Sequence, residues 1–156
     1  MKKEYKVLMV CLGNICRSPI AEGLLQHKVD HNRLNVAVDS CGTGGWHAGE
    51  LQDPRSIEKM DEYGIDIRAQ RSRKIRETDF DEFDLIYCMD KSNLSNVRAI
   101  AKGNENKVRL ILNPNTFGKN EEVPDPYYGA GGGFEMVYQQ LDKATDSIIE
   151  ELKKGH

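Results

Sequence analysis

Four short runs of mostly apolar, branched residues punctuate the chain: Tyr5 to Val10, Asn35 to Asp39, Asp84 to Met89, and Lys107 to Leu112. Each is close to continuous in hydrophobicity instead of alternating, the pattern of strands covered on both faces in a parallel sheet. Between and after them the apolar spacing lengthens to three and four residues. Pro19 to Val29 and Phe134 to Lys153 carry this helical period most plainly, and in the second Phe134, Val137, Tyr138, Leu141, Ile148 and Leu152 share one face. Arg55 to Tyr63 and Ser92 to Lys102 read as two further helices, closed by Gly64 and Gly103. Strand and helix therefore alternate through the chain. That order predicts an α/β fold: a single domain over residues 1–156, with a four-stranded parallel sheet, helices on both faces, and a ligand outside the carboxyl ends of the strands.

The size of 156 residues is enough to bury a core without disulfide or metal staples. A net charge of -3 gives no field that would draw the molecule to nucleic acid or anionic lipid, so any anion must be captured locally. The apolar run from Val7 to Leu12 is too short for a signal-peptide core or a membrane span, and a soluble cytoplasmic protein without membrane insertion is expected. Without an export signal the four cysteines, Cys11, Cys16, Cys41 and Cys88, are expected to be free thiols. No pair has the two-residue spacing of a zinc ribbon, so neither a metal nor another cofactor is expected.

The first strand runs straight into Cys11-Leu12-Gly13-Asn14-Ile15-Cys16-Arg17-Ser18, and a helix is expected to start at Pro19. A cysteine, five residues and an arginine make a tight loop whose successive amides can point inward. The positive end of the new helix completes an anion cradle. Gly13 and Asn14 tolerate the left-handed backbone that such a curl needs. Arg17 has the planar fork that matches two phosphate oxygens. Cys11, at the centre of this field, is the candidate nucleophile, as a thiolate attacking phosphorus. Ser18 can donate to its sulfur when that sulfur leaves.

A second candidate lies in the loop after the fourth strand, in Val123-Pro124-Asp125-Pro126-Tyr127-Tyr128-Gly129. Alone, a Pro-Asp-Pro segment reads as a turn. Beside a phosphate cradle it acquires another reading, because a phenolate leaving group benefits from a general acid and the hydrolytic water from a base. Asp125 is the candidate for both. A loop from the last strand's carboxyl end can reach the carboxyl end of the first strand, where Cys11 sits.

Taken together, the cysteine loop near the start and the Asp125-Pro126-Tyr127-Tyr128 segment near the end resemble the low-molecular-weight protein tyrosine phosphatase family. Asp39-Ser40-Cys41-Gly42-Thr43, Trp46-His47, Asp53-Pro54-Arg55, Cys88-Met89-Asp90 and Val137-Tyr138-Gln139-Gln140 extend the similarity over essentially the whole chain. The resemblance implies a phosphotyrosine phosphatase I-like fold and a phosphocysteine on Cys11, with Asp125 as acid and then base. It implies that Arg17 and the loop from Leu12 to Ser18 hold the phosphate, and that Asn14 braces the loop through Ser40. Trp46, Tyr127 and Tyr128 would wall the substrate ring, and Cys16 matches the position that can form a reversible disulfide with the nucleophile. Phosphotyrosine proteins are the implied partners of a monomer, with inorganic phosphate or similar oxyanions as product or inhibitor. One departure concerns Gln70, which stands in Gln70-Arg71-Ser72-Arg73 where many relatives carry a histidine that supports the loop. The Arg68 to Arg76 cluster is expected to be a solvated face.

Two rivals use the same loop. An arsenate reductase needs two further cysteines placed to relay a disulfide, and only Cys88 lies in the corresponding region. A non-catalytic phosphoresidue-binding module would be expected to lack the nucleophile or the acid, whereas Cys11 and Asp125 are both present.

Overall fold

The computed structural model describes residues 4–112, 122–128 and 133–154, with the side chain of Tyr128 outside the description. Strands β1 (Tyr5–Cys11), β2 (Val36–Gly42), β3 (Leu85–Cys88) and β4 (Val108–Leu110) form one sheet in the order β2-β1-β3-β4. Every pairing is parallel, with Cys11 opposite Gly42 and Val10 opposite Cys88. Among the described residues five α-helices accompany them: α1 (Arg17–His31), α2 (Pro54–Glu62), α3 (Asp79–Glu82), α4 (Lys91–Ile100) and α5 (Gly133–Lys153).

Alternation along β1 divides the core. Val7, Met9 and Cys11 face α1, α2 and α5, packing with Leu24, Met60, Val137 and Leu141. Leu8 and Val10 face the other way, towards Phe80 of α3 and Val97 of α4, with Cys41 and Cys88 on either side of Val10. The α/β sheet covered on both faces is thus the predicted one. Both faces of each inner strand are buried, which is why those strands read as continuous apolar runs.

The differences lie at the element ends. Helix α1 starts at Arg17, two residues before the expected Pro19. Proline is accepted there because an amide in the first turn has no intrahelical partner to lose. The four-residue α3 was not legible as a helix, being too short to show a period. Lys107 belongs to a turn of 3-10 helix and not to β4. No helix among the described residues is long and apolar enough to cross a membrane.

The chain leaves β1 for β2 on one side and returns to β3 on the other, so the strand order reverses at β1. A crevice opens outside a strand's carboxyl end at such a reversal. The carboxyl end of β1 is Cys11.

Candidate active site

The loop between β1 and α1 is shaped from outside, through its carbonyl groups. Thr43 N–H donates to Cys11 O at 3.0 Å, Gly44 N–H to Leu12 O at 2.9 Å, and Asp53 N–H to Ile15 O at 2.9 Å. Ser72 Oγ donates to Asn14 O at 2.7 Å and Ser56 Oγ to Cys16 O at 3.3 Å. In a planar trans peptide the following N–H points opposite to the carbonyl. Five carbonyls drawn outward therefore turn the amides of Leu12, Gly13, Ile15, Cys16 and Arg17 towards the interior of the loop. Asn14 N–H points at Cys11 Sγ, 3.3 Å away. The result is a ring of donors around one sulfur, set at the start of a helix.

Asn14 holds the curl closed. Its φ of 58° is left-handed, a region an asparagine tolerates better than most residues. Its side chain is buried and fully engaged: Nδ2 donates to Ser18 Oγ at 2.8 Å and to Ser40 Oγ at 2.9 Å, and Oδ1 accepts Arg73 N–H at 2.9 Å. Ser18 Oγ lies 3.0 Å from Cys11 Sγ, in place to donate to the sulfur. Ser40 Oγ in turn donates outward to Glu22 Oε1 at 2.6 Å. Gly42 lies against the loop so closely that a Cβ there would be 2.8 Å from Leu12 O and 3.0 Å from Asn14 N.

Arg17 is buried, yet its fork is aimed. Nη1 donates to Asp90 Oδ2 at 2.6 Å and to Val123 O at 3.0 Å, and Nη2 stands 3.6 Å from Asp125 Oδ2. Burial opposes the guanidinium charge, but Cys11, Asp90 and Asp125 outweigh it and raise the pKa of Arg17. Asp125 is brought over the loop by the backbone: buried Val123 donates its N–H to Met89 O at 2.8 Å, beside the carboxyl end of β3. Asp125 Oδ1 then accepts Tyr127 N–H at 3.0 Å, an Asx turn that fixes the carboxyl group.

These groups meet in a cavity of about 240 Å³ floored by Cys11, Ile15 and Arg17 and walled by Trp46, His47, Asp125 and Tyr127. Trp46 is largely exposed and Tyr127 partly so, while the side chain of Tyr128 lies outside the described residues. Gln70 is elsewhere: its Nε2 donates to Pro19 O at 3.3 Å at the start of α1. All four cysteines are free and buried. Burial pushes the thiols of Cys16, Cys41 and Cys88 up, those of Cys41 and Cys88 lying in the core on the far side of the sheet.

Four contributors were not singled out as site residues from sequence. Asp90 stood in a quoted motif without a role, and its signal was the helix cap it also provides. His47, likewise quoted, turns Cδ2 towards Gly13 and ties Nδ1 to Glu50 at 3.1 Å. Glu22 follows α1's helical period and carried no signal. Arg73 corrects the expectation of a solvated basic face: its guanidinium pairs with Asp39 at 3.1 Å and with fully buried Asp79 at 3.0 Å. Arg68 does lie in exposed pairs.

Comparison with known proteins places this geometry. The family model described as low molecular weight phosphotyrosine protein phosphatase matches residues 6–156. A phosphatase of that name from Schizosaccharomyces pombe is 40% identical over 156 residues, covering 97% of this chain and 99% of its own. Low molecular weight phosphotyrosine protein phosphatase 1 of Drosophila melanogaster is 42% identical, covering 94% and 96%. The crystal structure of YfkJ from Bacillus subtilis superposes with a TM-score of 0.92 at 33% identity, over 98% of this chain and 97% of that one. A protein tyrosine phosphatase from Entamoeba histolytica, with Hepes in its active site, gives 0.90 at 34% identity over 97% and 98%. The chain belongs to the low molecular weight phosphotyrosine protein phosphatase family.

Proposed function

We propose that this enzyme hydrolyses phosphotyrosine in proteins, and small aryl phosphates, through a phosphocysteine on Cys11. The observation that carries the reading is the convergence of the Cys11 sulfur, the Arg17 fork and the Asp125 carboxyl group on one cavity, the last two 3.6 Å apart. In the first step Cys11 Sγ attacks phosphorus, the S–P bond forming as the bond to the phenolic oxygen breaks. A phenolate has a pKa of about 10, so a proton from Asp125 makes it a better leaving group. Arg17 and the inward amides take up the charge on the remaining oxygens. In the second step water attacks phosphorus and gives its proton to Asp125. The S–P bond breaks, phosphate leaves, and Ser18 donates to the departing sulfur.

Trp46 and Tyr127 flank the aryl ring in this reading, and Tyr128 is the third candidate. The substrate class draws support from relatives named phosphotyrosine phosphatases. Inorganic phosphate, the product, competes with substrate for the same cradle. One chain supplies every group, so the reading needs no second subunit. Cys16 is assigned as a reversible redox partner: peroxide converts Cys11 to a sulfenic acid, and the Cys16 thiol displaces water to form the disulfide.

The test is paired. Cys11→Ser is expected to abolish hydrolysis of phenyl phosphate while inorganic phosphate still binds, and Asp125→Ala to lose most turnover with phosphate binding retained. Wild-type hydrolysis by Cys11→Ser would sink the mechanism.

A further inference from the structure

Arg55 touches none of the groups that react, yet it is built into both halves of the site. Its partner Asp53 is largely buried and donates its backbone N–H to Ile15 O at 2.9 Å, which anchors it on the phosphate loop. Burial alone would raise the pKa of its carboxyl group, but the bonds from Arg55 prevail and hold it down. From this anchor Asp53 grips Arg55 with both oxygens, Nε at 3.0 Å and Nη2 at 2.9 Å. The guanidinium then reaches across to the segment that carries Asp125. Its carbon lies 5.3 Å from the centroid of the Tyr127 ring and 4.8 Å from that of Phe134, and Nη2 donates to Tyr127 O at 3.4 Å. Tyr127 is the residue whose N–H fixes the Asp125 carboxyl group at 3.0 Å.

We propose that Arg55 is a positioning residue: held on the phosphate loop by Asp53, it clasps the Tyr127 turn and so aims Asp125 at the leaving group. The claim rests on Asp125 being the general acid. A plain surface ion pair would not need this arrangement. Helix α2 is already capped without the guanidinium, since Asp53 Oδ1 accepts Arg55 N–H at 2.9 Å and Pro54 opens the helix. What the side chain adds is a bidentate fork on one side and two ring faces on the other, contacts that suit a planar guanidinium better than an ammonium.

The experiment compares kcat/KM for aryl phosphates of differing leaving-group pKa, in wild type, Arg55→Gln, Asp125→Asn and the double variant. A misaimed acid costs most where the leaving group needs a proton. Arg55→Gln is therefore expected to lose about tenfold on phenyl phosphate and less than about twofold on a dinitrophenyl phosphate, whose turnover also reports that the variant is folded. On an Asp125→Asn background it is expected to add little. Equal losses on both substrates, no loss, or full additivity with Asp125→Asn would overturn the clasp. If instead Asp125→Asn itself shows no dependence on the leaving group, the acid assignment fails and takes the clasp with it. That pattern is distinguishable from a steep Asp125→Asn dependence that Arg55→Gln does not share.

Discussion

Arg17 and Asp90 form a 2.6 Å charge-assisted bond in which the arginine is buried and the aspartate does a second job. Asp90 Oδ1 accepts Asn93 N–H at 2.8 Å and so caps α4, while Oδ2 takes the guanidinium. Substitution can separate the two roles. Asp90→Asn keeps a capping oxygen but removes the charge opposite Arg17, and a drop in kcat/KM of about tenfold is expected with modest destabilisation. Asp90→Ala removes cap and counter-charge together, and about 3 kcal/mol of stability should go with them. Urea unfolding of both variants alongside aryl-phosphate kinetics checks the separation; equal stability of the two would remove the cap from the account.

Glu22 should write a pH dependence into stability. Burial pushes its carboxyl pKa up to about 7, with nearby Asp39 adding to the rise and the Ser40 hydroxyl and Arg73 opposing it. The folded protein therefore keeps a proton that the unfolded chain, near 4.5, gives up. The associated stability is complete below pH 4.5 and is lost as pH rises through 7, by at most about 3 kcal/mol. Glu22→Gln, which cannot ionise, should flatten that part of the curve. Denaturant midpoints of the two proteins from pH 4.5 to 8 measure it, and parallel curves would show that Glu22 does not titrate in this window.

Gly42 is a steric requirement that the sequence did not announce. A Cβ there would meet backbone atoms, Leu12 O at 2.8 Å and Gly13 C at 3.0 Å, and backbone cannot swing aside as a side-chain tip can. Gly42→Ala should therefore push on the phosphate loop, costing about 1–3 kcal/mol and a large part of kcat. Gly45→Ala is the control, since its Cβ would meet only the Lys74 side chain at 3.4 Å. Thermal melts and turnover of the pair decide whether the contact matters.

What could be read from sequence follows physical range. The parallel sheet was legible because burial on both faces leaves Val7 to Val10 and Leu85 to Met89 almost free of polar residues. The cysteine loop was legible because its chemistry lies within eight consecutive residues. Glu22, Asp90 and Arg73 act across 18, 73 and 59 residues of separation, at Ser40, Arg17 and Asn14. Nothing local distinguishes them from a helix-surface acid, a helix cap and one arginine among several. Gln70 illustrates the converse: a departure visible in the sequence concerns a side chain bonded to Pro19 O, not to Asn14 or Ser40.

Asn14 joins backbone strain to hydrogen bonding, and two substitutions pull them apart. At a φ of 58° an alanine would pay the left-handed penalty of about 1 kcal/mol, whereas glycine pays little of it. Both lose the bonds to Ser18, Ser40 and Arg73. Each leaves buried partners short of a bond, at about 1–3 kcal/mol per unsatisfied group. Asn14→Gly should therefore be destabilised, and Asn14→Ala further by about 1 kcal/mol. Activity should respond differently. If the side chain holds Ser18 and the curl in place around Cys11, glycine cannot restore kcat although its backbone fits, and both variants should fall about a hundredfold. Should Asn14→Gly turn over phenyl phosphate at the wild-type rate, the backbone conformation alone would suffice and the amide bonds would be stabilising only.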